Sequence, residues 1–349
     1  MFHRRPPKAM LAVATVSIAA VSIGLTPGVS HASTQAALSS PSSSSSSDFT
    51  LYTEPTAGFT WLYDQINDAQ SSIDMTMYEL SDTTAEEDLV AAEARGVDVR
   101  VILDEKEKST NDAAYDYLTD NGVSVVWSWT KYYYTHEKSI VFDGTTADIM
   151  TLNLTSEYYS ETRDFAVLDT NQANVAAIEK TFNADFTNTA ITPSKADSLI
   201  WSPTDSAADL AAIINAATHT LTVENEEMSD ATIVTDLENA AKRGVVVKVI
   251  MTNDDNTYAT EFNALKAAGV QVVTYKDSSS ILYIHAKAIL ADFSYSGAQV
   301  LFLGSENFSV ASLTKNRELG RTMSTVSILD SVNVTLTADF AGGTPWVTT

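Results

Sequence analysis

One short pattern occurs twice in this chain, 149 residues apart: His136, Lys138 and Asp143 in YTHEKSIVFD, and His285, Lys287 and Asp292 in YIHAKAILAD. Both copies read H-x-K-x4-D. A single copy would be a weak hint, whereas two in matching surroundings point to a duplicated unit. The surroundings do match: Ser81, Asp82, Asp88, Leu89, Arg95, Gly96, Val97, Val101 and Ile102 recur 148 residues later as Ser229, Asp230, Asp236, Leu237, Arg243, Gly244, Val245, Val249 and Ile250. Beyond each pattern the offset grows to 154, so that Asn153 falls on Asn307, Arg163 on Arg317, and acidic Asp164 on acidic Glu318. FSYSGAQ in the second copy takes up the difference and reads as a longer hairpin loop.

Each copy opens with a strand-like run of alternating apolar residues, SIDMTMYEL over residues 72–80 and LTVENEEM over residues 221–228. A helical stretch follows, with Asp82 and Asp230 placed as N-caps and Gly96 and Gly244 as stops. The apolar runs VDVRVIL and VVVKVIM then read as buried strands. Strand, helix, strand implies a right-handed crossover between parallel strands, so the expected fold class is α/β. Alternation would put His and Lys of each pattern on one face of a strand, where both can reach the same phosphate. Asn153 and Asn307 are expected near a following strand, with Gly304 allowing close backbone approach to a ligand.

A His and a Lys side by side, supplied twice, suit a phosphodiester. One imidazole can attack phosphorus while the other protonates the departing oxygen. Two lysines and two asparagines can hold the non-bridging oxygens as negative charge builds. A carboxylate on the second nitrogen of each ring would fix its orientation and tautomer, and Asp164 and Glu318 are the candidates. They could instead pair with Arg163, Arg317 or another surface group.

With both patterns, the downstream Asn153 and Gly304-Ser305-Glu306-Asn307 in view, the chain resembles the phospholipase D superfamily over nearly its whole folded length. The resemblance implies two repeats related by pseudo-twofold symmetry, with mixed sheets flanked by helices and motifs that meet in one site. It implies a phosphohistidine intermediate and no obligatory metal or cofactor. Carried onto this sequence, it makes His136 the nucleophile and His285 the general acid, although the residues themselves leave these roles interchangeable. Lys138, Lys287, Asn153 and Asn307 resemble the phosphate-holding groups, and Ser305 the hydroxyl that supports them; Asp143 and Asp292 read as structural. The first copy departs from the pattern at Met150-Thr151-Leu152-Asn153, where Thr151 keeps a hydroxyl but Met150 replaces the glycine and would be expected to crowd the phosphate.

Residues 1–32 read as an export signal: basic HRRPPK, an apolar stretch from Ala9 to Leu25, and Ser30-His31-Ala32 as a cleavage site. Arg4 and Arg5 are followed by Pro6 and Pro7, which favours the general secretory route over twin-arginine export; an uncleaved anchor is the alternative. Residues 33–48, nearly all Ser from Ser39, read as a flexible tether. The folded repeats are then expected at 49–195 and 196–349. The chain has no cysteine, which excludes disulfides and thiolate metal sites.

Removing residues 1–32 takes away Arg4, Arg5 and Lys8 and no acidic residue, leaving 18 basic against 45 acidic residues, a balance of −27. Such a charge opposes long-range attraction to nucleic acid. A zwitterionic lipid tolerates it, so the expected activity is a secreted, monomeric phospholipase D acting on phosphatidylcholine-like lipids at a membrane or micelle surface. An extracellular nuclease or phosphodiesterase of the same superfamily, and a non-catalytic phosphate or lipid binding protein, are the competing readings. Trp127, Trp129, Tyr132, Tyr133 and Tyr134 ahead of His136 suit a lipid-facing lip, a platform for stacking bases, or ordinary core packing. His219 reads as a packing residue. Asp104-Glu105 and Asp254-Asp255 lack the spacing of a calcium loop and read as solvated.

Overall fold

Asp82 and Asp230 cap their helices as the repeat predicts. Each side chain accepts from the second and third backbone N–H groups of the first turn, Thr84 and Ala85 in one copy and Thr232 and Ile233 in the other. At the far ends Gly96 and Gly244 take φ values of +93° and +96°, a conformation that favours glycine. The computed structural model describes residues 49–253, 255–276, 282–295 and 297–348. The proposed signal and tether lie outside the described residues.

The first copy runs β1 (Phe49–Glu54), α1 (Thr60–Asp68), β2 (Ser72–Met77), α2 (Thr83–Ala94), β3 (Asp98–Leu103), α3 (Lys108–Asp120), β4 (Ser124–Trp127), β5 (Ser139–Phe142), β6 (Thr146–Met150), β7 (Thr162–Asp169) and α4 (Gln172–Phe186). The second runs β8 (Leu199–Ser202), α5 (Ser206–Ala216), β9 (Thr220–Glu224), α6 (Ala231–Lys242), β10 (Val246–Thr252), α7 (Ala259–Ala267), β11 (Gln271–Tyr275), β12 (Tyr283–Ile284), β13 (Ala288–Ala291), β14 (Val300–Gly304), α8 (Val310–Thr314), β15 (Glu318–Met323), α9 (Val326–Gly342) and β16 (Thr344–Pro345). Two mixed sheets result, ordered β1-β7-β6-β5-β2-β3-β4 and β16-β11-β10-β9-β13-β14-β15-β8, with β12 reaching across to pair with β7. In each, three strands joined through helices lie parallel, while the strands that follow the H-x-K pattern run antiparallel. The β13–β14 connection spans residues 292–299 against 143–145 for β5–β6, so the expected longer hairpin loop is present.

The opening strands are shorter than their sequence pattern suggested. They stop at Met77 and Glu224, and the residues after them leave the sheet. The H-x-K segments also differ from expectation: β5 begins at Ser139 and β13 at Ala288, so each His and Lys precedes its strand. The reason is where their backbone bonds go. The N–H groups of His136 and Glu137 both donate to the Arg317 carbonyl, and those of His285 and Ala286 both donate to the Arg163 carbonyl. Each histidine segment is thus hung on the acid-bearing strand of the other copy.

Side chains repeat the crossing. The Arg163 guanidinium grips Asp339 through Nε and Nη2 at 2.6 and 3.1 Å, and Arg317 grips Asp185 in the same way at 2.7 and 3.2 Å. Asp185 lies in α4 and Asp339 in α9, so each buried pair joins one copy to the other. Two apolar clusters do likewise, one packing Phe165 and Val167 against Leu303 and Leu329, the other Ile149 and Val175 against Trp201 and Leu319.

Asp104 is buried, which corrects the expectation of a solvated loop. It accepts from the N–H groups of Lys106 and Glu107 and, at 2.5 Å, from Thr135 just ahead of His136. Asp255 is exposed, and Asp254 lies outside the described residues.

Asp148 on β6 is fully buried and accepts from Gln65 Nε2 at 3.1 Å, while its other oxygen has no hydrogen-bond partner among the described residues. Burial pushes its pKa up to about 8. Between the ordinary carboxyl range and pH 8 the folded chain holds a proton that the unfolded chain releases, so this group erodes stability as pH rises. Asp148→Asn is neutral in both states. It should raise Tm at pH 8.5 by about 5 °C and change it little at pH 4.5, as differential scanning calorimetry at the two values would report; equal shifts at both would show that Asp148 does not titrate as described.

Candidate active site

The residues that leave the strand ends of β2 and β9 meet the two H-x-K segments at one place. His136 Nδ1 lies 2.8 Å from Glu318 Oε2, and His285 Nδ1 lies 2.8 Å from Asp164 Oδ1. The dyads are crossed: each ring of one copy is held by the acid of the other. This is the arrangement in which the carboxylate fixes a proton on Nδ1 and leaves the Nε2 lone pair to act. It replaces the surface pairing considered for Asp164 and Glu318, because Arg163 and Arg317 are occupied by Asp339 and Asp185.

Glu318 is fully buried. It accepts further bonds from Ser312 Oγ at 2.6 Å and Asn316 Nδ2 at 2.9 Å. Burial would raise its pKa, but His136, Lys138 and these hydrogen bonds outweigh burial and hold the carboxyl below its usual range. Burial acts the other way on the ring, and His136, only 2% exposed, is pushed down to about 4 despite the pull of Glu318. At neutral pH it is a neutral imidazole.

Lys138 Nζ donates to the His136 carbonyl at 2.6 Å, and Lys287 Nζ to the His285 carbonyl at 2.5 Å, so each motif folds its lysine back beside its own histidine. Burial, with Lys287 adding its charge, brings Lys138 down to about 7. The crossed bonds from His136 to Glu318 and from His285 to Asp164 bring the two motifs to one site. Among the described residues no group of acids and histidines is spaced to hold a metal ion.

Asn153 Nδ2 donates to Glu79 at 3.2 Å and Asn307 Nδ2 to Glu226 at 3.3 Å. The two amide oxygens are buried, with no hydrogen-bond partner among the described residues. Asp143 and Asp292 face away from this centre. At φ values of 54° and 49°, each gathers the N–H groups of the segment entering β2 or β9, from Gln70 to Ser72 and from Thr218 to Thr220. Burial opposes their ionisation, but these bonds prevail and lower both pKa values.

Two expectations need correction. Thr151 Oγ1 donates to Asp164 at 2.6 Å and accepts from Phe165 N–H, while Ser305 Oγ accepts from Leu319 N–H. These hydroxyls therefore hold the acid-bearing strands and not Asn153 and Asn307. Met150 does not crowd the site either, since it is buried in the core of the first copy opposite Ala166. In the second copy Gly304 faces Gly320, and a Cβ on Gly304 would come within 2.4 Å of the Glu306 carboxylate. The pair of glycines there admits Glu306, a buried acid whose pKa burial and Glu318 raise well above the ordinary carboxyl.

The sequence reading missed Tyr78, Glu79 and Glu226. Their signal was position: all three follow the C-terminal end of a strand that begins a parallel crossover, where α/β sheets gather their ligands. Tyr78 packs edge-on against the His136 ring, with centroids 4.6 Å apart, and lies under Lys138 Nζ at 4.8 Å. Glu79 is raised to about 7 by burial and by Glu107. Of the aromatic run, Trp127 stacks on Tyr115 and Tyr132 is buried against Arg317, as core residues do; Tyr133 is 49% exposed, with Lys106 over its ring. His219 stacks on Tyr295, the packing role expected of it.

Comparison with known proteins agrees with this geometry. No curated protein matches the chain by sequence. Among solved structures, the polyphosphate kinase of Porphyromonas gingivalis superposes with a TM-score of 0.70 at 14% identity, covering 86% of this chain; this chain spans 48% of that protein's length. The phosphatidylserine synthase of Haemophilus influenzae Rd KW20 gives a TM-score of 0.65 at 12% identity over 86% of this chain and 87% of that one. Nuc of Salmonella typhimurium, a phospholipase D family member, is 22% identical over 42% of this chain and 98% of its own, with a TM-score of 0.38. The family described as cardiolipin synthase, PLD-like domain, matches twice, at residues 62–186 and 210–339, once in each copy. Carrying both domains and both crossed dyads, the chain belongs to the phospholipase D superfamily, in the cardiolipin synthase type of PLD-like domain.

Proposed function

We propose that this protein is a secreted phospholipase D: it cleaves glycerophospholipids of the phosphatidylcholine type to phosphatidic acid and a free head group. The observation that carries the reading is the pair of crossed His–carboxylate dyads, each with a lysine folded back beside its histidine. Such a centre supplies a nucleophile, an acid and positive charge from side chains alone, so the reading requires no metal or cofactor.

His136 Nε2 attacks phosphorus, forming an N–P bond as the P–O bond to the head-group alcohol breaks. His285 Nε2 gives its proton to that oxygen. Water then enters, His285 takes its proton, the new P–O bond forms and the N–P bond breaks, which restores His136. An alcohol in place of water gives phosphatidyl transfer through the same intermediate. Lys138, Lys287, Asn153 and Asn307 hold the non-bridging oxygens.

A lipid is favoured over nucleic acid by the net charge of −24, which repels a polyanion at long range. The family description and the neighbouring phosphatidylserine synthase lend the lipid reading further support. Exposed Tyr133 and half-buried Trp129, with Lys106 and Lys131 beside them, offer aromatic bodies with polar tips suited to a lipid–water interface. Export rests on the N-terminal sequence; among the described residues no helix is long and apolar enough to cross a membrane. The protein is expected to act as a monomer, since one chain carries both halves of the site.

The test is choline release from phosphatidylcholine vesicles in excess chelator, with plasmid cleavage in parallel. Choline and phosphatidic acid appearing at equal rates is the expected result. Plasmid cleavage without lipid turnover would assign the protein to the nucleases, and dependence on added metal would overturn the side-chain mechanism.

A further inference from the structure

The two copies are not equivalent where it matters most. Sliding the chain by 148 residues places Tyr78, the first residue after β2, on Glu226, the second after β9, and each lies against the His–Lys pair of its own copy. In the first copy the neighbour is an aromatic ring; Tyr78 packs on His136, and burial raises its phenol pKa, so it is uncharged. In the second copy the neighbour is a carboxylate. Glu226 Oε2 lies 3.6 Å from His285 Nε2 and 3.0 Å from Lys287 Nζ, while its Oε1 accepts from Tyr283 Oη at 3.0 Å.

We propose that Glu226 is the positioning residue that makes the two histidines unequal, holding the proton on His285 Nε2 that is delivered to the leaving group and so leaving the attack on phosphorus to His136. This deepens the phosphodiesterase reading and rests on it.

A negative charge at this range favours imidazolium over imidazole, and the effect is largest where water is scarce. The charged and titratable groups around His285 are Asp164 on its Nδ1, Glu226 on its Nε2, Lys287 of its own segment, and Glu79 from the first copy. Two of the three carboxylates reach ring nitrogens. Glu226 also keeps its own charge: burial would raise its pKa, but Lys287, His285 and the bond from Lys287 bring it well below the usual range. His136 sits between Glu318, Lys138 and the Tyr78 ring, where burial keeps it neutral. A phosphate taken up by Lys287 and Asn307 replaces Glu226 on those two donors and leaves it to His285 and Tyr283.

The test exploits the leaving group. An alkoxide such as that of choline needs a proton as it departs, whereas p-nitrophenolate does not. Glu226→Gln keeps the size and the hydrogen-bonding reach of the side chain and removes the charge. With phosphatidylcholine in mixed micelles, kcat/KM should fall about 30-fold near pH 7.5 and the alkaline limb of its pH profile should move to lower pH. With phosphatidyl-p-nitrophenol the fall in kcat/KM should be much smaller, and an unchanged Tm reports that the variant is folded. Phosphohistidine, acid-labile and base-stable and therefore trapped by a denaturing quench at alkaline pH, should map by mass spectrometry to His136. Equal losses on both esters, an unmoved alkaline limb, or label on His285 would overturn the role of Glu226 while leaving the phosphodiesterase reading in place. Failure of the unaltered protein to turn over either ester would overturn both.

Discussion

On the proposed function, His136→Ala should abolish head-group release, lowering kcat by about 10⁴-fold or more, because it removes the atom proposed to form the covalent bond. The ring is 2% exposed, held on Nδ1 by Glu318 and packed on Tyr78, so no water stands in its place by simple truncation. His285→Ala falls by a similar factor with phosphatidylcholine and by much less with a p-nitrophenyl ester, which leaves without a proton. Both variants should lose some stability, since each truncation leaves buried Glu318 or Asp164 short of a hydrogen-bond partner, and a Tm well above the assay temperature would report that they are folded. Retention of more than about one per cent of the rate by His136→Ala would remove it from the nucleophile's role.

The second large effect falls on stability. Asp185→Ala should cost about 3–5 kcal/mol, because it strands the Arg317 guanidinium, 1% exposed, away from water and from its partner. A Tm lowered by about 10 °C is expected. Activity should drop as well: the Arg317 carbonyl receives the N–H groups of His136 and Glu137, so a shift of that residue moves the nucleophile. Replacing both partners, as Asp185→Leu with Arg317→Met, should recover much of the stability, since apolar groups of similar volume need no compensating charge. A loss below about 1 kcal/mol for Asp185→Ala, measured by urea unfolding, would show that the pair contributes little and that the apolar clusters alone join the copies.

Much of this was legible in the chain itself, for a definite reason. Duplication turns weak local signals into strong ones: Asp82 and Asp230 are each an ordinary cap candidate, yet together they fix where both helices begin. The same comparison marked His136, Lys138, Asn153 and Asp164 with their partners in the second copy. What it could not reveal is which acid serves which ring, because crossing is a property of three-dimensional packing and leaves no trace in residue spacing. The placement of the H-x-K segments ahead of their strands has the same origin, since their backbone partners lie on the other copy at Arg163 and Arg317. Tyr78 and Glu226 escaped for the opposite reason. A search for what two copies share discards the positions at which they differ, and here the difference is chemical. Met150 misled because a motif position was taken to face the ligand, when β6 turns that side chain into the core.

The crossed dyads make each copy the custodian of the other's catalyst. A change in Glu318 silences a histidine encoded 182 positions earlier, and a change in Asp164 silences one encoded 121 positions later. Neither copy is therefore a spare for the other, and the chain behaves in heredity as a single indivisible instrument: damage to either half is damage to the whole, and neither half can acquire a new trade while its twin keeps the old one.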